Sequence, residues 1–145
     1  VRYRVSPPEH ERFEAVRDLF GKGEFKAAVS AANTYLHAFP FSAIAAYALL
    51  DKGTALYADK NYKASIAARQ EFIQKYPDHP ARPQATLNLA ASQAESGNPN
   101  TARGILQGLI KNYPNSPAAA EARDRLKTLQ KPATSKPAST KPTPR

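Results

Sequence analysis

The side chains that most often carry catalysis or bind metals are few and scattered in this chain. Its three histidines are His10, His37 and His79, and it contains no cysteine. None of them stands in an H-E-x-x-H or similar ligand spacing, which a metal site on a helix needs. His10 and Glu14 are one helical turn apart, but a surface pair explains that spacing. The sequence therefore predicts no catalytic, cofactor-binding or metal site, and we expect a protein that is not an enzyme.

The distribution of charge argues against nucleic-acid binding. The formal net charge is +9, and four of these positive charges lie within residues 131–145. The other lysines and arginines are spread over the whole chain, whereas a nucleic-acid binder needs a clustered basic face. The longest apolar run, residues 43–50, is too short to span a bilayer. We therefore expect no nucleic-acid partner and no transmembrane segment.

The two ends differ from the body of the chain. Residues 131–145 contain no large apolar residue, and Lys-Pro recurs there every five residues. Such a segment cannot bury enough surface to fold, so we expect a disordered, polyproline-like tether; weak attachment to anionic polymers is the alternative. Residues 1–8 are expected to form an N-terminal arm. Because the chain contains no methionine, we expect a processed piece whose missing upstream segment could make it an oligomer.

An aromatic–proline pair recurs at a fixed interval along the body. Phe39-Pro40, Tyr76-Pro77 and Tyr113-Pro114 are each separated by 37 residues. Proline cannot continue the hydrogen-bond ladder of a helix and restricts the residue before it, so each pair should end a helix. A fixed period of this length indicates a helical repeat array. The predicted folded domain, 9–130, has repeats at about 9–40, 42–77 and 79–114 and a cap helix at 116–130.

Other positions agree at the same offset, which favours repeats over the alternative of a non-repetitive bundle. Three sets of residues coincide at this offset. The small residues are Ala28, Ser65 and Ala102, and the large apolar residues are Tyr35, Phe72 and Leu109. The apolar residues that directly follow the large ones are Leu36, Ile73 and Ile110. Apolar residues at helical spacing predict two amphipathic helices in each copy. Ser42 and Ser116 are predicted N-caps of the helices that follow them.

These residues resemble a tetratricopeptide repeat (TPR). The second copy fits best, with the motif positions Gly53, Leu56, Tyr62, Ser65, Phe72 and Pro77. The resemblance implies an all-α fold, a right-handed superhelical stack of three TPR-like helical hairpins plus a C-terminal capping helix. Arg12, Lys52 and Arg69 stand where the family usually has apolar residues, so looser or shifted packing is expected there.

The turns after the second and third copies resemble a narrower family. The sequences KYPDHP (75–80) and KNYPNSP (111–117) are similar to the C-terminal domain of the CpoB (YbgF) family, the Tol-Pal-associated periplasmic coordinators of cell division. This resemblance implies a periplasmic scaffold that contacts TolA and a penicillin-binding protein, with association with the outer membrane as a further option. It would link peptidoglycan synthesis with division. A BamD-like or generic envelope adaptor, acting in outer-membrane protein assembly or secretion, shares such turns and stays open as the alternative.

The repeat resemblance also implies a groove for a protein partner. In a stack of such hairpins the first helices line the concave face. The partner-binding residues expected from that position are His10, Phe13, Arg17, Phe20, Tyr47, Leu50, Thr54, Tyr57, Gln84, Leu87, Asn88 and Ala91. This mostly apolar and aromatic set suits an amphipathic helix or an extended peptide. The alternative for each aromatic residue is that it only packs between neighbouring helices.

Overall fold

The fold is a linear stack of helices. The computed structural model describes residues 6–130, which form seven α-helices and contain no strand: α1 (Pro7–Gly21), α2 (Phe25–Ala38), α3 (Ala45–Ala58), α4 (Tyr62–Lys75), α5 (Arg82–Glu95), α6 (Pro99–Asn112) and α7 (Pro117–Gln130). Each helix packs on the next, and in addition α1 contacts α3 and α5 contacts α7. The predicted all-α stack of three hairpins with a capping helix is confirmed. The predicted tail (131–145) and the first five residues of the predicted arm lie outside the described residues.

The aromatic–proline pairs end the second helix of each hairpin in one repeated geometry. The backbone angles φ and ψ are −132° and 58° at Phe39, −128° and 59° at Tyr76, and −135° and 58° at Tyr113. At each of these residues the backbone N–H donates to the carbonyl four residues earlier. The three copies therefore leave their second helices in the same direction.

The turn inside each hairpin also repeats. Gly23, Lys60 and Gly97, which are 37 residues apart, all have positive φ, at 78°, 64° and 92°. Glycine reaches this left-handed region without steric cost, whereas a residue with a Cβ does not. The middle copy thus uses the same backbone turn as the other two, without the glycine that favours it.

The core is built from the positions that coincide at the repeat offset. Tyr35, Phe72 and Leu109 are at most 2 % exposed, and the small residues Ala28, Ser65 and Ala102 are buried beside them. Apolar clusters form around these second-helix residues along the whole stack. Because each small residue lets a neighbouring helix approach closely, the large one can fill the space between hairpins.

The predicted N-cap role of Ser42 is wrong, because α3 begins at Ala45. The Ser42 hydroxyl instead donates to the carboxylate of Glu9, which also accepts a hydrogen bond of 2.5 Å from the Tyr35 hydroxyl. Glu9 is only 7 % exposed, and a buried carboxylate needs such donors. Ser42 therefore joins the first repeat to the second.

The other helix starts follow the usual capping rules. The Ser116 hydroxyl accepts a hydrogen bond of 3.0 Å from the backbone N–H of Ala119, which confirms it as the N-cap of α7. At the other end, α1 begins at Pro7, two residues before the predicted start of the domain. Ser6 caps it by accepting from the N–H of Glu9 at 3.2 Å. Proline at the first helical position suits such a start.

Candidate binding groove

Four predicted groove residues meet in one concave pocket. Helices α3, α4, α5 and α7 enclose a cavity of about 190 Å³, which we call the central pocket; it is lined by Thr54, Tyr57, Arg69, Asn88, Ala91 and Arg125. Thr54 and Tyr57 are three residues apart on α3, and Asn88 and Ala91 are three apart on α5, so each pair shares a helix face. The first helices of the second and third repeats therefore present their predicted positions to one space.

Arg69 forms the floor of the central pocket and is 7 % exposed. Its Nε donates to the hydroxyl of Ser65 at 3.0 Å, and its Nη2 donates to the carbonyl of Gly53 at 3.1 Å. The Ser65 hydroxyl lies 3.0 Å from that of Ser92 on α5. The guanidinium also lies over the ring of Tyr57, 5.5 Å from its centroid. This network ties α3, α4 and α5 together below the groove.

The expected loosening of the helix packing at Arg69 is not observed. A Cβ on Gly53 would lie 3.1 Å from the Cγ of Arg69, so the long arginine side chain fills the space that the glycine leaves. Burial lowers the pKa of Arg69 to about 10, and the nearby Tyr57 opposes this shift. No carboxylate pairs with Arg69 among residues 6–130.

Arg125 of the capping helix completes the central pocket and was missed by the sequence analysis. The sequence analysis assigned α7 only as a capping helix. However, Arg125 lies 37 residues after Asn88, and extending the repeat offset into the capping helix would have found it. Its Nη2 lies 2.8 Å from the carboxylate of Glu121, an exposed neighbour on the same helix.

A second, more apolar cavity continues from the central pocket. It measures about 230 Å³, lies between α5, α6 and α7, and is lined by Ala90, Ala91, Ala94, Leu106, Arg125, Thr128 and Leu129. We call it the end pocket. Because Ala91 and Arg125 line both cavities, the two are adjacent parts of one groove.

In the first repeat, the predicted groove residue Arg17 forms an ion pair. Arg17 Nε lies 2.6 Å from Asp51 Oδ2 on α3, and its guanidinium lies 4.8 Å from the ring centroid of Phe13. Burial raises the pKa of Asp51, and Arg17 opposes that rise. Phe13 in turn contacts the ring of Tyr35, at 5.7 Å between centroids. These contacts hold α1 against α2 and α3.

The other aromatic groove residues also pack on neighbouring rings. The centroid distances are 5.6 Å for Phe20 and Phe25, 5.2 Å for Tyr57 and Tyr62, and 5.2 Å for Tyr47 and His79. Tyr47 remains 40 % exposed and is therefore available to a partner. Each of these aromatic residues thus packs against a neighbouring ring, as the alternative interpretation expects, but the groove is still present.

The remaining predicted residues divide between surface and core. His10 and Gln84 are exposed, and Leu50 is half-buried beside the apolar cluster that contains Phe72. Leu87 is fully buried in the cluster that joins α5, α6 and α7. Its predicted place in the groove is wrong, because this side of α5 packs against α6 and α7.

Nothing in the described range points to metal chemistry or a membrane span. Between residues 6 and 130, no three metal-ligating side chains come together. None of the seven helices is both long and apolar enough to cross a bilayer.

Solved structures confirm the repeat fold at low sequence identity. PcrH from Pseudomonas aeruginosa matches with a TM-score of 0.72 and 12 % identity, over 89 % of this chain and 97 % of that one. A T3SS complex from Aeromonas hydrophila matches with a TM-score of 0.71 and 12 % identity, over 87 % and 83 %. The TPR-like repeats of a putative kinesin light chain from Podosopora anserina match with 0.68 and 12 %, over 87 % and 68 %.

Sequence comparison places the chain in a family. No curated protein matches it, and the narrower CpoB resemblance is not confirmed. A family model described as "YfiO: Outer membrane lipoprotein" matches residues 6–136 and so covers every described helix. With its TPR-like fold and this match, the chain belongs to the YfiO family of outer membrane lipoproteins.

Proposed function

We propose that this protein is a non-enzymatic interaction scaffold of the bacterial cell envelope that binds a partner helix or peptide in its concave groove. The observation that carries the proposal is the central pocket, where Thr54, Tyr57, Asn88 and Ala91 line one cavity together. Polar groups and an aromatic ring on four helices, beside an apolar end pocket, can orient and anchor side chains of a partner.

Membership of an outer-membrane lipoprotein family supports a place in the envelope. A periplasmic position at the outer membrane would bring the groove to envelope proteins. The finer proposal from the turn sequences is a link between Tol-Pal and peptidoglycan synthesis at division, with TolA and a penicillin-binding protein as partners.

The second candidate is a BamD-like or generic envelope adaptor in outer-membrane protein assembly or secretion. The description of the matched family favours it, because BamD-type proteins are themselves outer-membrane lipoproteins whereas the CpoB resemblance rests on two turns. The groove serves either role, so the partner has to be identified directly.

Site-specific photo-crosslinking in the native cell tests both the groove and the partner. A photoreactive amino acid replaces Thr54, which lines the central pocket, and in a matched strain replaces Gln70, which is exposed on α4 and lines neither pocket. We expect a partner adduct from position 54 that is absent from position 70. Mass spectrometry then identifies TolA or a penicillin-binding protein, or else an outer-membrane assembly component. Adducts at position 70 alone would contradict binding in the groove.

A further inference from the structure

The central pocket is lined by cations without acids. Arg69 and Arg125 both face it, and no aspartate or glutamate is among its described lining residues. The Glu121 that pairs with Arg125 lies on the same helix and is exposed, and such exposed pairs hold little free energy. The pocket therefore presents positive charge that no carboxylate among its lining residues neutralises.

Arg69 is the less usual of the two cations, since it is more than nine-tenths buried and has no carboxylate partner between residues 6 and 130. Its Nε and Nη2 are used by Ser65 and Gly53. Its third nitrogen, Nη1, is not used by either of these bonds, and the residue lines the central pocket. A guanidinium fixed in this way is pre-organised for an anion, because little further side-chain entropy is lost on binding.

The two cavities are open to solvent and suit different parts of one ligand. A water molecule takes about 30 Å³ of liquid volume, so the central pocket holds a few waters or the carboxyl end of one side chain. The adjoining end pocket is lined largely by Ala90, Ala94 and Leu106 and suits an apolar side chain. Since Ala91 and Arg125 are shared, one ligand segment can occupy both cavities.

We infer that the partner segment carries an acidic side chain beside an apolar anchor, with the carboxylate bound between Arg69 and Arg125 and the anchor in the end pocket. This inference rests on the proposed function and specifies its partner. The acid that we infer is the side chain of an aspartate or glutamate. A carboxylate there accepts charge-assisted hydrogen bonds from guanidinium groups, which are stronger than neutral ones.

An array of short amidated peptides tests the inference. Each peptide contains leucine and glutamate at varied separations, and a matched peptide has glutamine in place of glutamate. The protein probes are the wild-type chain, Arg125→Gln and Arg123→Gln. Arg123 is the matched control, because it lies on the same helix and lines neither pocket. Arg69 is left intact, since its hydrogen bonds join three helices.

We expect the best glutamate peptides to bind the wild type about tenfold or more tightly than their glutamine partners, the usual size for a hydrogen-bonded charge. Arg125→Gln should remove most of that ratio, and Arg123→Gln should keep it. Equal binding of glutamate and glutamine peptides would overturn the inference and leave the groove proposal standing. A ratio that Arg125→Gln does not change would place the acid elsewhere and overturn it too. If no peptide binds, both proposals fall.

Discussion

Replacing Lys60 with glycine should stabilise the fold. Lys60 has φ of 64°, in the turn where the first and third repeats have Gly23 and Gly97. A left-handed conformation costs a residue with a Cβ about 1–2 kcal/mol, while glycine loses about 0.5–1 kcal/mol more conformational entropy on folding. The lysine side chain is exposed and makes no ion pair within residues 6–130, so its removal subtracts little. The difference is a gain of about 0–1.5 kcal/mol in the free energy of unfolding, or about 0.75 kcal/mol at the middle of both ranges.

Urea denaturation followed by circular dichroism measures this gain. The matched control is Lys63→Gly, the same substitution at an exposed site in the first turn of α4, where glycine should cost up to about 1 kcal/mol. Gly97→Ala is the reverse test: a Cβ there meets no atom within 4 Å, so the change in stability reports backbone strain less the conformational entropy that alanine saves. If Lys60→Gly destabilised the protein as much as Lys63→Gly, the shared turn geometry of the three repeats would be refuted.

Three further substitutions probe the interior. Burial, with the hydrogen bond to Glu9, raises the pKa of Tyr35 from 10.0 to about 12. The protonated Tyr35 therefore contributes its full stabilisation below pH 10, and about 2 kcal/mol of the free energy of unfolding is lost as the pH rises towards 12. Tyr35→Phe should remove that part of the pH dependence, which urea denaturation at several pH values measures. Gly53→Ala should destabilise by about 1 kcal/mol in thermal unfolding, because the added methyl meets Arg69, whose position is fixed; Gly104→Ala, with open space around it, should stabilise. Leu87→Ala should lower the free energy of unfolding by about 2–5 kcal/mol in calorimetry, as truncation of a buried leucine does. A loss near zero would show that Leu87 is not a core residue.

The fold could be predicted largely because the repeat marks its own boundaries. The aromatic–proline pairs ended the second helices as expected, since a proline acts on the backbone locally and needs no tertiary context. Ser42 shows the limit of local reasoning. Its hydroxyl could cap a helix in isolation, but in the folded chain it donates to the buried carboxylate of Glu9, which lies 33 residues away.

The groove was harder to predict than the fold, because it depends on which way each helix is rotated. Thr54 and Asn88, both expected in the groove, line the central pocket, whereas Leu87, directly before Asn88, is turned into the core. Arg69 and Arg125 were missed as pocket residues. A single arginine in a sequence has the same appearance whether it is solvated or held over a glycine, and only the contact with Gly53 distinguishes the two.

The central claim is that a partner segment binds the face formed by the first helices of the hairpins and the capping helix. Amide chemical-shift mapping with the strongest peptide from the array tests it most directly. The account predicts that the largest shifts fall at Thr54, Asn88 and Arg125, which line the central pocket, with little change at Gln70 on α4. Large shifts confined to α2, α4 and α6, with none in the central pocket, would contradict it.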